Sequence, residues 1–188
     1  MKDEFLMAFR YEVRLSGEGG QGLVLAGKIL AEAAAIYDDL NATQSQSYGP
    51  EARGGASRSE VIISDDDIDY PKAMNIDLLL ALTQESCDKY SSDLKENGIL
   101  LVDEESVTHL PEGNFAVYKL PIIRTAREKV GRALVANIVA LGIIAGLTNI
   151  ISIEALNAAI ESRVPKGTEE MNLKAFQSGL DMAKKIKK

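Results

Sequence analysis

From Ile76 to Thr83 the chain reads Ile-Asp-Leu-Leu-Leu-Ala-Leu-Thr, an apolar run broken only by Asp77. A run of that length and uniformity is the pattern of a strand buried on both faces, as happens in parallel sheets covered by helices on each side. Ile99-Leu100-Leu101-Val102-Asp103 repeats the pattern. Two such strands commit the chain to a layered α/β fold, because neither has a polar face to turn toward water.

The other segments fit this frame. Tyr11 to Ser16 alternates apolar and polar residues, meets a glycine cluster, and gives way to an alanine- and leucine-rich run from Leu23 to Tyr37, so it reads as strand, turn and helix. Further strands are expected from about Asn41, over Ala56 to Ser64, and over Phe115 to Leu120. A polar surface helix is expected over Glu85 to Glu96, ended by Asn97-Gly98, and helix resumes near Thr125. Ser152 before Ile153-Glu154 and Thr168 before Glu169-Glu170 are each a hydroxyl followed by acid, the chemistry of a helix start. The expectation is one α/β domain over 1–188: a mostly parallel sheet flanked by helices in a Rossmann-like three-layer arrangement. With 188 residues, 46% of them hydrophobic, the chain can bury a core of that size.

Several function classes are set aside by single residues. One cysteine, Cys87, cannot form an internal disulfide and is three thiolates short of an ordinary [4Fe–4S] cluster. One histidine, His109, rules out a histidine-rich metal site and reads as a solvated loop residue. A net charge of −7 opposes nucleic-acid binding, and the lysines Lys184, Lys185, Lys187 and Lys188 suit the C-terminal end of a helix. The apolar stretch Ala133 to Leu147 is shorter than the roughly 18 to 20 residues of a membrane span, and the start of the chain lacks a secretory pattern, so a cytoplasmic protein is expected.

Two glycine-bearing segments could carry chemistry. Gly17-Glu18-Gly19-Gly20-Gln21-Gly22 has Gly-x-Gly-x-x-Gly spacing between the first strand and the first helix, where backbone N–H groups can face a phosphate. The same glycines could equally serve a tight turn and close packing with no ligand. A dinucleotide fold would also place an acid at the end of the second strand. Asp38 and Asp39 precede that strand, and Thr43-Gln44-Ser45 stands where the acid belongs. The second segment, Gln44 to Gly55, has few aliphatic residues and several turn formers, so it reads as an exposed loop. Arg53 there offers a planar fork for phosphate or carboxylate, and Glu51 could orient it; a local surface ion pair is the alternative.

Together, Gly17-Glu18-Gly19-Gly20-Gln21-Gly22 and Tyr48-Gly49-Pro50-Glu51-Ala52-Arg53-Gly54-Gly55 resemble the gamma subunits of 2-oxoacid:ferredoxin oxidoreductases. The likeness extends through Asp77 to Leu82, Asn137, and Thr168 to Gly179. The longer loop from Gln46 to Gly55, with Ile68-Asp69-Tyr70-Pro71 after it, is most similar to the 2-oxoglutarate type. The resemblance implies a complex in which alpha and beta subunits, and a ferredoxin-like delta subunit, hold thiamine pyrophosphate and iron–sulfur clusters. Such a complex converts a 2-oxoacid and coenzyme A to acyl-CoA, carbon dioxide and reduced ferredoxin. It implies assembly, and coenzyme A contacts at Gly17, Gly19, Gly20, Gln21, Gly22, Tyr48, Glu51, Arg53, Gly54 and Gly55. No catalytic residue carries over, and no cofactor is expected on this chain alone. The isolated chain is expected to pair with itself or with partners. Readings of another class, a free-standing dehydrogenase or a nucleotide-sensing domain, leave the second loop unexplained.

The helix over Ala133 to Gly142 is apolar around most of its circumference, which reads as a core helix in preference to a docking face, with Asn137 a satisfied buried amide. For Arg53, a bidentate role predicts that Arg53→Lys, which keeps charge but loses the fork, is nearly as damaging as Arg53→Ala. Either change should weaken coenzyme A affinity or assembly roughly ten- to a hundred-fold, the cost of about 1.5 to 3 kcal/mol for one charged hydrogen-bonded contact, with the melting temperature nearly unchanged. Calorimetry on the assembled enzyme checks both halves.

Overall fold

The computed structural model describes residues 9–47 and 56–187. Six strands form one sheet: β1 (Arg10–Glu18), β2 (Asn41–Ser47), β3 (Ala56–Ser64), β4 (Ile76–Ala81), β5 (Leu94–Asp103) and β6 (Ala116–Leu120), in the spatial order β2-β3-β1-β4-β5-β6. The β1–β4, β4–β5 and β5–β6 pairs are parallel, and β3 is antiparallel to both β1 and β2. The apolar run that opened the sequence reading is the central strand β4, with Leu78, Leu79, Leu80 and Ala81 all fully buried.

The two faces of the sheet are covered unequally. Val13, Leu15, Val61, Ile63, Leu78, Leu80 and Leu101 face a layer built from α1 (Leu23–Glu32), α3 (Ile122–Thr125), α4 (Ala136–Thr148), α5 (Ile153–Arg163) and α6 (Glu169–Ile186). Ile62, Leu79, Ala81, Leu100 and Val102 face a smaller cluster with Cys87 and Tyr90 of α2 (Gln84–Tyr90). Period-two alternation thus sorts each strand onto two helical layers of different thickness.

Inside the thick layer, α4 and α6 meet backbone to backbone. A Cβ on Gly142 would collide with the carbonyl oxygen of Phe176 and lie 3.0 Å from Cα of Gly179, and a Cβ on Gly179 would collide with the carbonyl oxygen of Val139. Residues 136–145 of α4 are buried throughout, so the apolar helix is core from Ala136 on, whereas Ala133 and Leu134, expected in the same helix, are exposed in a 3-10 turn ahead of it.

Three local expectations are corrected. The helix expected over Glu85 to Glu96 stops at Tyr90, and its residues Ser86, Cys87 and Tyr90 are buried. A 3-10 turn over Ser91–Asp93 follows, and β5 then begins at Leu94 and bulges, with Ile76 opposite Leu94 and Leu78 opposite Ile99. Asn97-Gly98 is therefore the bulge and not a helix end; Asn97 has φ +62°, and a side chain on Gly98 would meet backbone oxygens of Lys95 and Asp77 at 3.0 and 3.1 Å. At α6 Thr168 makes no side-chain cap; its hydroxyl donates to Pro165 O at 2.7 Å, while Glu169 accepts from Gly167 N at 2.7 Å. Helix also resumes at Ile122, ahead of Thr125, where buried Asp103 accepts from Ile123 N at 2.9 Å. Ser152 caps α5 as expected, accepting from Ala155 N at 3.1 Å.

The α4–α6 contact has no room to give, because the colliding atoms are backbone. Gly142→Ala should cost about 1 to 3 kcal/mol, or roughly 3 to 10 °C in melting temperature for a chain of this size, as read by thermal unfolding.

Candidate functional site

At the end of β1 the chain turns sharply into α1, and the six residues of this turn do different jobs. Gly17 is buried under the Gln21 side chain, whose Oε1 accepts from Glu18 N at 2.8 Å and closes the turn. Gly22 is the N-cap of α1 with φ +73°, and a Cβ there would sit 2.6 Å from Nδ2 of Asn137. That nitrogen donates to the Gly22 carbonyl at 2.9 Å, so Asn137, 3% exposed, ties the first turn of α4 to the loop. These two glycines have packing reasons. Gly19 does not: it is exposed, its φ is ordinary, and nothing lies within 4 Å of a Cβ placed on it. Gly20 is equally open, with φ +93°.

The N–H groups of Gly19, Gly20, Gly22 and Leu23 make no backbone hydrogen bond with the described residues, and α1 carries no side-chain cap. An unspent row of donors at a helix N-terminus favours an anion.

Two cavities flank this row. One, of about 310 Å³, lies between Gly22, Leu25, Arg132, Val135, Pro165 and Met171. The other, of about 230 Å³, lies between Gly20, Gln21, Ile123, Ala133 and Ala136. Leu134 lines both and is 65% exposed, which is unusual for a leucine on the rim of an apolar core. Nothing in the sequence marks these walls, since most of them come from segments more than a hundred positions from the loop, and Leu134 stands in a run read as helix core.

The strand after α1 lies at the sheet edge, two places from β1, so it cannot supply a ribose-binding acid beside the loop. Asp38 is occupied elsewhere: its carboxylate accepts from Ser152 N and Oγ, both at 2.6 Å. Among the described residues the dehydrogenase reading has no acid left to bind ribose in this way.

Tyr48, Glu51, Arg53, Gly54 and Gly55 lie outside the described residues. The strands that flank them end at the same edge as the glycine loop, with Ala56 opposite Glu18 and Ser47 opposite Arg58. Cys87 is fully buried, and desolvation, aided by Asp88, pushes its thiol up to about 11, so a position near a helix start does not make it a nucleophile. His109 is exposed on a loop, its Nδ1 2.9 Å from Thr108 Oγ1. Among the described residues no group of three His, Cys, Asp or Glu side chains is placed to hold a metal ion, and no helix is long and apolar enough to cross a membrane.

Residues 12–182 match the family model described as pyruvate ferredoxin/flavodoxin oxidoreductase. The chain is 54% identical over 179 residues to the 2-oxoglutarate synthase subunit KorC of Methanocaldococcus jannaschii, covering 94% of this chain and 96% of that protein. The crystal structure of the gamma subunit of a keto/oxoacid ferredoxin oxidoreductase from Geobacter sulfurreducens superimposes with a TM-score of 0.88 at 59% identity, over 95% of this chain and 98% of that one. The fold alone recurs, at 24% identity and a TM-score of 0.83, within 31% of a longer chain of the 2-oxoglutarate:ferredoxin oxidoreductase from Magnetococcus marinus, solved with 2-oxoglutarate, coenzyme A and succinyl-CoA bound.

The loop glycines separate by stability. Gly19→Ala should melt with the parent, whereas Gly22→Ala, strained by its positive φ and by Asn137, should lose about 1 to 3 kcal/mol. Parallel thermal melts check both.

Proposed function

The chain belongs to the pyruvate ferredoxin/flavodoxin oxidoreductase family, as a subunit of a multi-subunit 2-oxoacid:ferredoxin oxidoreductase, and from that premise we propose that it is the gamma-type subunit of an enzyme acting on 2-oxoglutarate. Its contribution is assembly and reception of coenzyme A. The observation that carries this reading is the exposed row of unspent N–H groups at Gly19 and Gly20, beside an exposed leucine and two apolar cavities. Among the described residues no packing contact or hydrogen bond uses Gly19 or the N–H of Gly20.

The chemistry of the donors divides the labour. One cysteine cannot hold a four-thiolate cluster, so the clusters do not fit this chain and belong to partner subunits of alpha, beta and delta type. Thiamine pyrophosphate, when bound to those partners, supplies decarboxylation of the 2-oxoacid, and the electrons leave to ferredoxin. Coenzyme A does fit here. Its diphosphate is the anion that the N–H groups of Gly19, Gly20, Gly22 and Leu23 would hold, with Gln21 closing the turn behind them and Gly17 allowing it. Tyr48, Glu51, Arg53, Gly54 and Gly55 complete the proposed contacts from the second loop. The reading names no acid or base on this chain; what it supplies is position, which can lower a barrier by holding the acyl acceptor in reach.

Leu134 is the assembly residue in this reading, because partner contact would remove an apolar side chain from water. Alone, the chain should be folded and should reduce no viologen with 2-oxoglutarate and coenzyme A; mixed with its co-purifying partners it should restore turnover. Leu134→Asp should leave the melting temperature of the isolated chain unchanged and weaken assembly at least about ten-fold in sedimentation. Turnover by the isolated chain, or full assembly by the Leu134→Asp variant, would contradict the subunit role or the docking face respectively.

A further inference from the structure

We propose that the thinly covered face of the sheet carries a second binding site, for a phosphate-class oxyanion, centred on the guanidinium of Arg58. The site does not depend on the coenzyme A reading of the glycine loop, which lies beside other cavities.

Alternation places Arg14 of β1, Arg58 and Glu60 of β3, and Ser45 and Ser47 of β2 on one face, with Arg14 opposite Glu60, Ser45 opposite Glu60 and Ser47 opposite Arg58. Arg14 is fully employed there. Its Nε donates to Glu60 Oε1 at 2.7 Å, its NH1 pairs with Asp93, and its Cζ lies 5.2 Å from the Tyr90 ring centroid. Arg58 uses the same ring, with Cζ 5.3 Å from the centroid, and Tyr90 is itself fixed by a 3.1 Å hydrogen bond to Ala56 O. Yet Arg58 makes no hydrogen bond among the described residues. Its Nε is buried with no hydrogen bond, and the one carboxylate within ion-pair distance of it among the described residues, Glu60 Oε1 at 3.5 Å, is already committed to Arg14.

A guanidinium clamped by stacking with its donors unspent is an anion receptor in waiting, because the entropy of ordering the side chain is already lost. A cavity of about 330 Å³ opens on it, lined also by Ser45, Ser47, Glu60, Lys72 and Met74. Lys72 supplies a second cation and the serines supply hydroxyl donors. The lining of the cavity itself carries Arg58 and Lys72 against Glu60, while Glu12 and Glu85 beside it are engaged by Met74 N at 2.6 Å and Ala56 N at 3.2 Å. That local positive excess sits on a chain of net charge −7, and its volume takes a phosphate with part of the molecule attached to it. A tetrahedral phosphoryl group offers more acceptor oxygens to a guanidinium fork, an ammonium and two hydroxyls than a planar carboxylate does.

The purified chain is titrated with inorganic phosphate, pyrophosphate, coenzyme A and dephospho-coenzyme A at ionic strength held constant with NaCl, following the melting temperature and the Arg58 Nε–H resonance. Phosphate should raise the melting temperature and move that resonance, and Arg58→Gln and Arg58→Lys should each weaken binding at least about ten-fold while melting near the parent when unliganded. Coenzyme A binding more tightly than dephospho-coenzyme A, with the difference lost in Arg58→Lys, identifies a 3′-phosphate as occupant; equal responses to coenzyme A and inorganic phosphate identify a free phosphate. If Arg58→Gln fails to fold, Lys72→Gln and Ser47→Val should still weaken phosphate binding in folded protein. The proposal is overturned by a phosphate response no larger than that of NaCl, by parent-like binding in Arg58→Lys, or by an Arg58→Gln variant that keeps phosphate binding and loses only assembly.

Discussion

The contact on which the site depends is a crossing of two helices at Gly142 and Gly179, where no side chain separates α4 from α6. Backbone contact of this kind leaves α4 one seat, since neither helix can slide without meeting a carbonyl oxygen. With α4 seated, its first turn puts Asn137 against the Gly22 carbonyl, and the turn before it puts Leu134 beside Gly20. The open donor row at Gly19 and Gly20 is thus positioned from the far side of the domain. A helix N-terminus fixed by a buried amide is held more rigidly than a loop held by its own turn, because the amide has lost its alternatives to water.

Much of this was legible because the sequence states it twice, in local pattern and in burial. The apolar run at Ile76 reads as a central strand, the apolar helix reads as core, and an amide within it must find a partner; all three follow from the cost of exposing apolar surface or burying polar groups alone. What was not legible depends on distant partners. Glu85 to Glu96 carries helix-like polarity, but the second half pairs with β4, and the ladder outweighs propensity; the left-handed Asn97 that resembles a helix end is the bulge that lets this pairing start early. At Thr168 the hydroxyl is spent on Pro165 because the turn preceding α6 brings that carbonyl within reach.

In the site, the glycine motif was visible but its meaning was divided. Spacing cannot say which glycine serves the fold, whereas geometry can: Gly17 and Gly22 are filled against by Gln21 and Asn137, and Gly19 faces open space. The missing ribose acid was readable as an order of residues, and the edge position of β2 gives the physical reason, since a strand two places away cannot present an acid to the β1 turn. The apolar walls around Leu134 had no comparable signal, being assembled from separate segments. Arg58 did have one. Arg58 and Glu60 fall on the same face of a strand whose next same-face residue, Ile62, is core, and charges aimed at a covered face must either pair or serve.

The unequal covering of the sheet explains why that second possibility arises where it does. Under the thick layer desolvation of an ion costs several kcal/mol even after relaxation, and Asp103, buried there at the end of β5, has both oxygens taken, by Ile123 N and by Ser106. Under the thin layer, α2 covers the sheet only as far as Tyr90. Arg14 and Glu60 lie within its shelter and neutralise each other. Arg58, two residues closer to the end of β3, lies at the limit of that shelter, buried at its Nε and open at its far end, with the side chain 33% exposed. Its guanidinium can therefore keep its charge through contact with solvent while the aromatic plate fixes its direction. A charge held still and left half-wet is poised to exchange water for an oxyanion at small cost, which a fully buried pair or a fully mobile surface arginine is not.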